Sequence, residues 1–125
     1  MGLFDGLIGN ASEVSITKLQ EELKELLISG ETIENAYKVI RDTFIFTNMR
    51  LILIDKQGVT GKKTEYHSIP YKNILHFSVE TAGTFDLDAE LKIWISGTAL
   101  PIEKQFNNSL NIYELQTVLA EYCLR

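Results

Sequence analysis

The chain contains one cysteine, two prolines and no apolar run near the roughly 18 residues that a membrane span needs. A single thiol, Cys123, forbids an intramolecular disulfide; on a helix it reads as a small packing residue rather than a nucleophile. Positive charge is also short, with 12 Lys and Arg against 17 Asp and Glu and a net charge of −5. A balance of that sign gives no global attraction for nucleic acid or an anionic membrane, so any anion binding has to be local. The opening stretch, MGLFDGLIGNAS, lacks the basic start and long apolar stretch of a secretory signal, which makes the cytoplasm the expected location. Catalytic constellations are missing as well. No Ser/His/Asp or Cys/His set can be assigned, and His67 and His76 stand nine residues apart on separate strands with no partner at metal spacing. The expectation is a protein that is not an enzyme and uses no cofactor and no metal.

What remains is sufficient for one core: 125 residues, 45% of them apolar and 10% aromatic. Residues 1–9 set Leu3, Phe4, Leu7 and Ile8 among three glycines, too glycine-rich for an autonomous helix and too apolar to prefer water. Residues 13–28 place Ile16, Leu19, Leu23, Leu26 and Leu27 on one helical face, with Ser12 as cap and Gly30 as terminator. That stripe needs a cover, from this domain's own sheet or from a neighbouring subunit. Beyond Glu31 the apolar period falls to two. Strands are expected near 34–41, 43–47, 50–56, 64–70, 74–80, 90–96 and 101–106, separated by turn residues at Thr47-Asn48, Gly58 with Gly61, Tyr71-Lys72-Asn73, Gly83 and Gly97. Leu75, Phe77 and Val79 should face the core in one strand, and Leu91, Ile93 and Ile95 in another. The unbroken LILI at 51–54 predicts a strand covered on both sides. Helical spacing returns at the end with Ile112, Leu115, Val118, Leu119 and Tyr122, opened by an Asn111–Glu114 pair resembling a capping box.

Seven strands and a closing helix, together with GE at 30–31, RDTFIFTNMRLILIDKQGVTGKKTEYHSIPY at 41–71 and ILHFSVETAGTFDLDAELKIWISG at 74–97, resemble the bacterial pleckstrin-homology (PH) domain family. The resemblance covers nearly the whole chain. It implies a mainly β, α+β fold: a PH-like barrel of two near-orthogonal antiparallel sheets, a C-terminal capping helix, and an extra N-terminal helix ahead of the standard elements. Residues 1–30 then form an apolar segment and amphipathic helix, and 31–125 the PH-like domain. The resemblance also implies homo-oligomeric, ring-like assembly and no catalytic residues.

The stretch GVTGKK invites comparison with a phosphate-binding loop, yet Lys56 stands where the first glycine belongs. Lys63 occupies the Ser/Thr position, and a strand-like TEYHSIPY follows in place of a helix. A basic hairpin tip is the better reading. Phosphoinositide binding is not carried over either, because the connection around Arg41 and Asp42 offers no basic cluster. Alternating acids in FDLDAE could contribute to a calcium loop but fall short of a full ligand set.

The charges are uneven all the same. Residues 41–63 hold five basic residues against Asp42 and Asp55, whereas 80–90 hold Glu80, Asp86, Asp88 and Glu90 with no base. Candidate interface residues are accordingly Lys56, Lys62 and Lys63, Glu80, Asp86, Asp88 and Glu90, together with Trp94 on an outer strand face and Leu19 and Leu23 on the first helix. The N-terminal helix or a neighbouring subunit would cover Trp94. The expected partner is a second copy of the chain, then another protein; a peripheral membrane or lipid contact through residues 1–9 and the lysines is the alternative, and nucleic acid is not expected.

Overall fold

The computed structural model describes residues 13–39, 42–57, 63–81, 89–106 and 112–125. The chain forms two compact units, Met1–Ile69 and Pro70–Arg125.

The first unit opens with α1 (Glu13–Glu22), followed by β1 (Ile33–Val39), β2 (Asp42–Thr47), β3 (Arg50–Gln57) and β4 (Lys63–Pro70), which lie in sequence order in one four-stranded sheet. Sequential neighbours joined by short turns are the cheapest way to satisfy strand hydrogen bonds. Phe44 faces Leu53 and Ile45 faces Ile52 across the β2–β3 pair. Leu51, Ile52, Leu53 and Ile54 are all buried, so the strand without polar alternation is covered on both faces. Tyr37 and Phe46 meet edge to face with ring centroids 5.9 Å apart. The strands flanking residues 58–62 are neighbours in the sheet, as a hairpin requires; the glycines and Lys62 of its tip lie outside the described residues.

The helical spacing of residues 13–28 predicts a longer helix than the one present. After Glu22 the backbone tightens into turns, with Leu26 N–H bonding Leu23 C=O at 2.8 Å and Glu31 N–H bonding Ile28 C=O at 3.0 Å. The apolar stripe is covered within the chain at its C-terminal end. Leu23 is buried, Ile16, Leu19, Leu26 and Leu27 are half-buried, and α1 packs on β1.

The second unit carries a 3₁₀ turn (Tyr71–Asn73), β5 (Ile74–Thr81), β6 (Ala89–Ile95), β7 (Ile102–Phe106) and α2 (Ile112–Cys123); its three strands form a second antiparallel sheet. The face of α2 expected from the spacing is the one buried: Ile112, Leu115, Val118, Leu119 and Tyr122. The helix packs on β5 and the 3₁₀ turn, where Tyr122 stacks on Tyr71 at 4.8 Å and Arg125 lies 4.7 Å over the Tyr122 ring. Gly97 turns the chain between β6 and β7 at φ +88°, a conformation that costs glycine little.

One core assignment needs correction. Leu75 is 62% exposed, because the β5–β6 register slips between Ile74 and His76. Ile74 takes the inward place opposite Ile95, Leu75 becomes the additional residue of a bulge, and alternation resumes with Phe77 and Val79 inward. Ile74→Ala should therefore cost roughly 2–4 kcal/mol in chemical denaturation and Leu75→Ala less than about 1 kcal/mol. Equal costs would reject the bulge assignment.

Candidate functional site

The polar residues of the first unit converge on one place, and it is not a loop tip. Gly30, at φ +81°, reverses the chain between the turns after α1 and the start of β1, and so directs Glu31 inward. The two-residue β2–β3 connection Asn48-Met49 brings Arg50 beside it. The turn is held by the Thr47 hydroxyl, which accepts the N–H groups of Met49 (3.0 Å) and Arg50 (2.9 Å) and donates to Glu31 Oε2 at 2.7 Å. Asn48 sews the same turn to the other segment: its Nδ2 donates to Gly30 C=O at 3.0 Å, and its Oδ1 accepts Thr32 N–H at 2.9 Å.

Arg50 and Glu31 form a two-pronged ion pair, Nε to Oε2 at 2.8 Å and Nη2 to Oε1 at 2.9 Å. The Glu31 side chain is wholly buried and that of Arg50 is 20% exposed. Further donors reach Leu26 C=O (Nη2, 2.7 Å) and Ser68 Oγ (Nη1, 2.8 Å), and Ile28 N–H donates to Glu31 Oε1 at 3.1 Å. One guanidinium thus ties the exit of α1, the start of β1 and the edge strand β4 together. Leu26 C=O and Ile28 N–H, both beyond the last residue of the helix, thus find their partners in the clasp. Gln20 adds a stitch from α1, accepting Ile33 N–H at 2.9 Å.

Burial alone would raise the Glu31 pKa; the hydrogen bonds from Arg50, Thr47 and Ile28 N–H and the Arg50 charge outweigh it and hold the carboxyl below its ordinary 4.5. The buried carboxylate therefore stays ionised. Its bonds to Glu31, Leu26 C=O and Ser68 make the guanidinium the centre of a structural clasp.

The sequence-derived interface residues fall in both units. In the first unit Lys56 and Lys63 are exposed, Leu19 is half-buried and Leu23 is buried. Arg50, one of the five bases in the basic stretch, is consumed by Glu31. In the second unit Glu80 and Glu90 face each other across the β5–β6 pair, with Lys92 Nζ 3.8 Å from Glu90. Lys62, Asp86 and Asp88 lie outside the described residues, as do Arg41 and the Asn111 of the capping pair. Trp94 acquires a cover that its strand position alone did not reveal: the His76 ring stacks on it at 4.3 Å from the adjacent strand. Among the described residues no group of three His, Cys, Asp or Glu is placed to hold a metal ion, and no helix is long and apolar enough to cross a membrane. Half-buried Cys123 has its thiol pKa pushed up to about 11 by desolvation, the opposite of an activated nucleophile.

GE at 30–31 and TNMR at 47–50 each carry one half of the clasp, 19 residues apart. A charge standing at the entrance of an otherwise apolar strand, after a Thr-Asn turn, was the available signal.

Replacing Glu31 by Gln keeps the shape but leaves Arg50 without its counter-charge, and should cost roughly 3 kcal/mol at pH 7 in chemical denaturation. A lowered carboxyl pKa contributes stability that is full above the ordinary value of 4.5 and fades as pH falls through the folded-state value. The gap between native and E31Q proteins should accordingly close on acidification; a gap independent of pH would contradict an ionised Glu31.

Comparison with known proteins agrees with this geometry. The bacterial PH domain family profile matches residues 2–123, a span that includes α1 and the clasp. The chain is 60% identical over 125 residues to uncharacterized protein YjqA of Bacillus subtilis (strain 168), covering 99% of this chain and all of that one. Among solved structures, a pleckstrin homology domain from Shewanella amazonensis SB2B aligns with a TM-score of 0.82 at 55% identity, covering 88% of this chain and 99% of the other. A protein with a pleckstrin-homology domain from Shewanella loihica PV-4 aligns at 0.77 and 54% identity, covering 86% and 92%. With two antiparallel sheets of four and three strands, a helix at each end and this breadth of match, the chain belongs to the bacterial PH domain family.

Proposed function

We propose that this protein is a non-enzymatic interaction module that associates with copies of itself, in a ring-like homo-oligomer, and offers the assembled surface to a further partner. The observation that carries the reading is the use made of Arg50: the cation that a ligand-binding PH domain could aim at an anion is spent on Glu31, Leu26 and Ser68. Rigid internal wiring of this kind favours a scaffold over a pocket. Large apolar side chains left at the surface, Leu75 and Leu100 in the second unit among them, suit contact with protein. The bases Lys56, Lys62 and Lys63 and the acids Glu80, Asp86, Asp88 and Glu90 supply opposite charges for a head-to-tail contact, the kind that closes rings.

Sedimentation of the purified chain at tens of micromolar should give a mass several times 14.2 kDa. A single 14.2 kDa species there would overturn self-association. Raising the salt or introducing Lys62→Glu with Lys63→Glu should reduce the assembly mass; a mass indifferent to both rejects the charge pairing. Co-sedimentation with anionic vesicles at low salt should leave the protein in the supernatant, and binding there would favour a membrane role instead.

A further inference from the structure

The outer side of the entrance to β1 is closed by a side chain rather than by a strand. Thr32 points both its backbone groups at the β2–β3 turn, where Asn48 takes them: Asn48 N–H donates to Thr32 C=O at 3.1 Å, and Asn48 Oδ1 accepts Thr32 N–H at 2.9 Å. Glu31 C=O and Ile33 N–H, on either side of Thr32, point the opposite way, as alternate residues of an extended chain do. Gln20 of α1 meets them. Its Oε1 accepts Ile33 N–H at 2.9 Å and its Nε2 donates to Glu31 C=O at 3.5 Å. One carboxamide thus offers the acceptor and the donor that these backbone groups require. Three residues on, Leu23 is buried, while Ile16 and Leu19 are half-buried and Glu21, Glu22 and Lys24 are exposed.

Two separate sets of bonds hold this corner. Asn48 on Thr32 and Gly30, with Arg50 and Thr47 on Glu31, keep the entrance of β1 in place from the sheet side. The Gln20 carboxamide and the Leu23 side chain hold α1 from the other side, and Arg50 grips Leu26 C=O beyond the last residue of the helix. Lifting α1 about the residues ahead of Leu26 breaks the Gln20 bonds and uncovers Leu23, yet leaves the sheet-side bonds intact. The seat is preformed, which lowers the ordering cost of whatever docks in it. The helix, by contrast, has only ten residues, too few for a stable isolated helix in water. An element held by so few buried groups opens locally ahead of the sheet it covers.

We infer that α1 is an autoinhibitory strap: it lifts from β1, and its seat then takes an amphipathic helix of another protein that carries glutamine and leucine three residues apart. The occupant in place defines the ligand. The seat matches one carboxamide, aligned with Ile33 N–H and Glu31 C=O, and one leucine side chain a turn further on, and it leaves the opposite side of the helix to water. Being tethered, α1 competes at a high effective concentration, so the partner binds only as far as its own contacts exceed those of the strap. This rests on the reading of the chain as an interaction module and names the class of its further partner.

Amide exchange, followed residue by residue in the full chain, tests the strap. The Leu23 and Ile33 amides should exchange through one shared opening, about tenfold or more faster than those of Ile45 and Ile52 inside the sheet. Gln20→Ala should speed both by about fivefold, the worth of one net hydrogen bond, and leave Ile45 and Ile52 unchanged, which also shows that the variant is folded. The probe for the vacated seat is a synthetic peptide of Glu13–Ile28. Added to the Gln20→Ala chain it should return Ile33 toward its native exchange rate, and the same peptide with Gln20→Ala and Leu23→Ala should not. The native chain, whose own strap competes, should need a peptide concentration higher by about fivefold. Exchange of Leu23 and Ile33 no faster than that of Ile45 overturns the strap. A strap that opens over a seat the peptide does not protect overturns the docking site and leaves the interaction module standing, since sedimentation tests that reading on its own.

Discussion

A carboxylate with no solvent exposure has to be neutralised where it lies, and the first unit is built around that demand. Glu31 cannot reach water, so Arg50, Thr47 and the Ile28 amide must reach Glu31. The same contacts hold the reversal at Gly30 and the tightness of the β2–β3 turn. An ion pair so placed adds less to stability than its distances suggest, because desolvation offsets much of the attraction. It joins the α1 exit, the hairpin and β4 through one set of mutually satisfied donors and acceptors.

That constraint ties up a cation that the same architecture could otherwise have turned outward. A fold supplies positions, and the side chains decide their use. Arg50 is spent on bonds within its own unit, and the surface carries exposed leucines and a stacked His76–Trp94 pair.

Much of the architecture was legible because local and global signals agree. Turn residues at Thr47-Asn48, Tyr71–Asn73 and Gly97 bracket strands whose alternation is clean, and α2 exposes its buried face in its spacing. The failures share a cause. Leu26 and Leu27 continue a helical stripe, but the backbone there has already tightened into turns. Leu75 continues a strand alternation, but a slip in register has no compositional mark. The clasp itself was hidden because Glu31 and Arg50 are 19 residues apart and each reads alone as an ordinary surface charge, Arg50 even as part of a basic patch.

The bulge at Leu75 leaves the chain with one residue more than the pleat needs, so the sheet tolerates changes of chain length unevenly. Removing Leu75 would leave Ile74 and Phe77 two steps apart and both inward, an unbroken alternation. Removing a residue from the middle of β6 would send half of that strand's apolar side chains to the wrong face. Within this sheet, drift in chain length through evolution has one inexpensive outlet in β5, and the paired stretch of β6 beside it is closed to it.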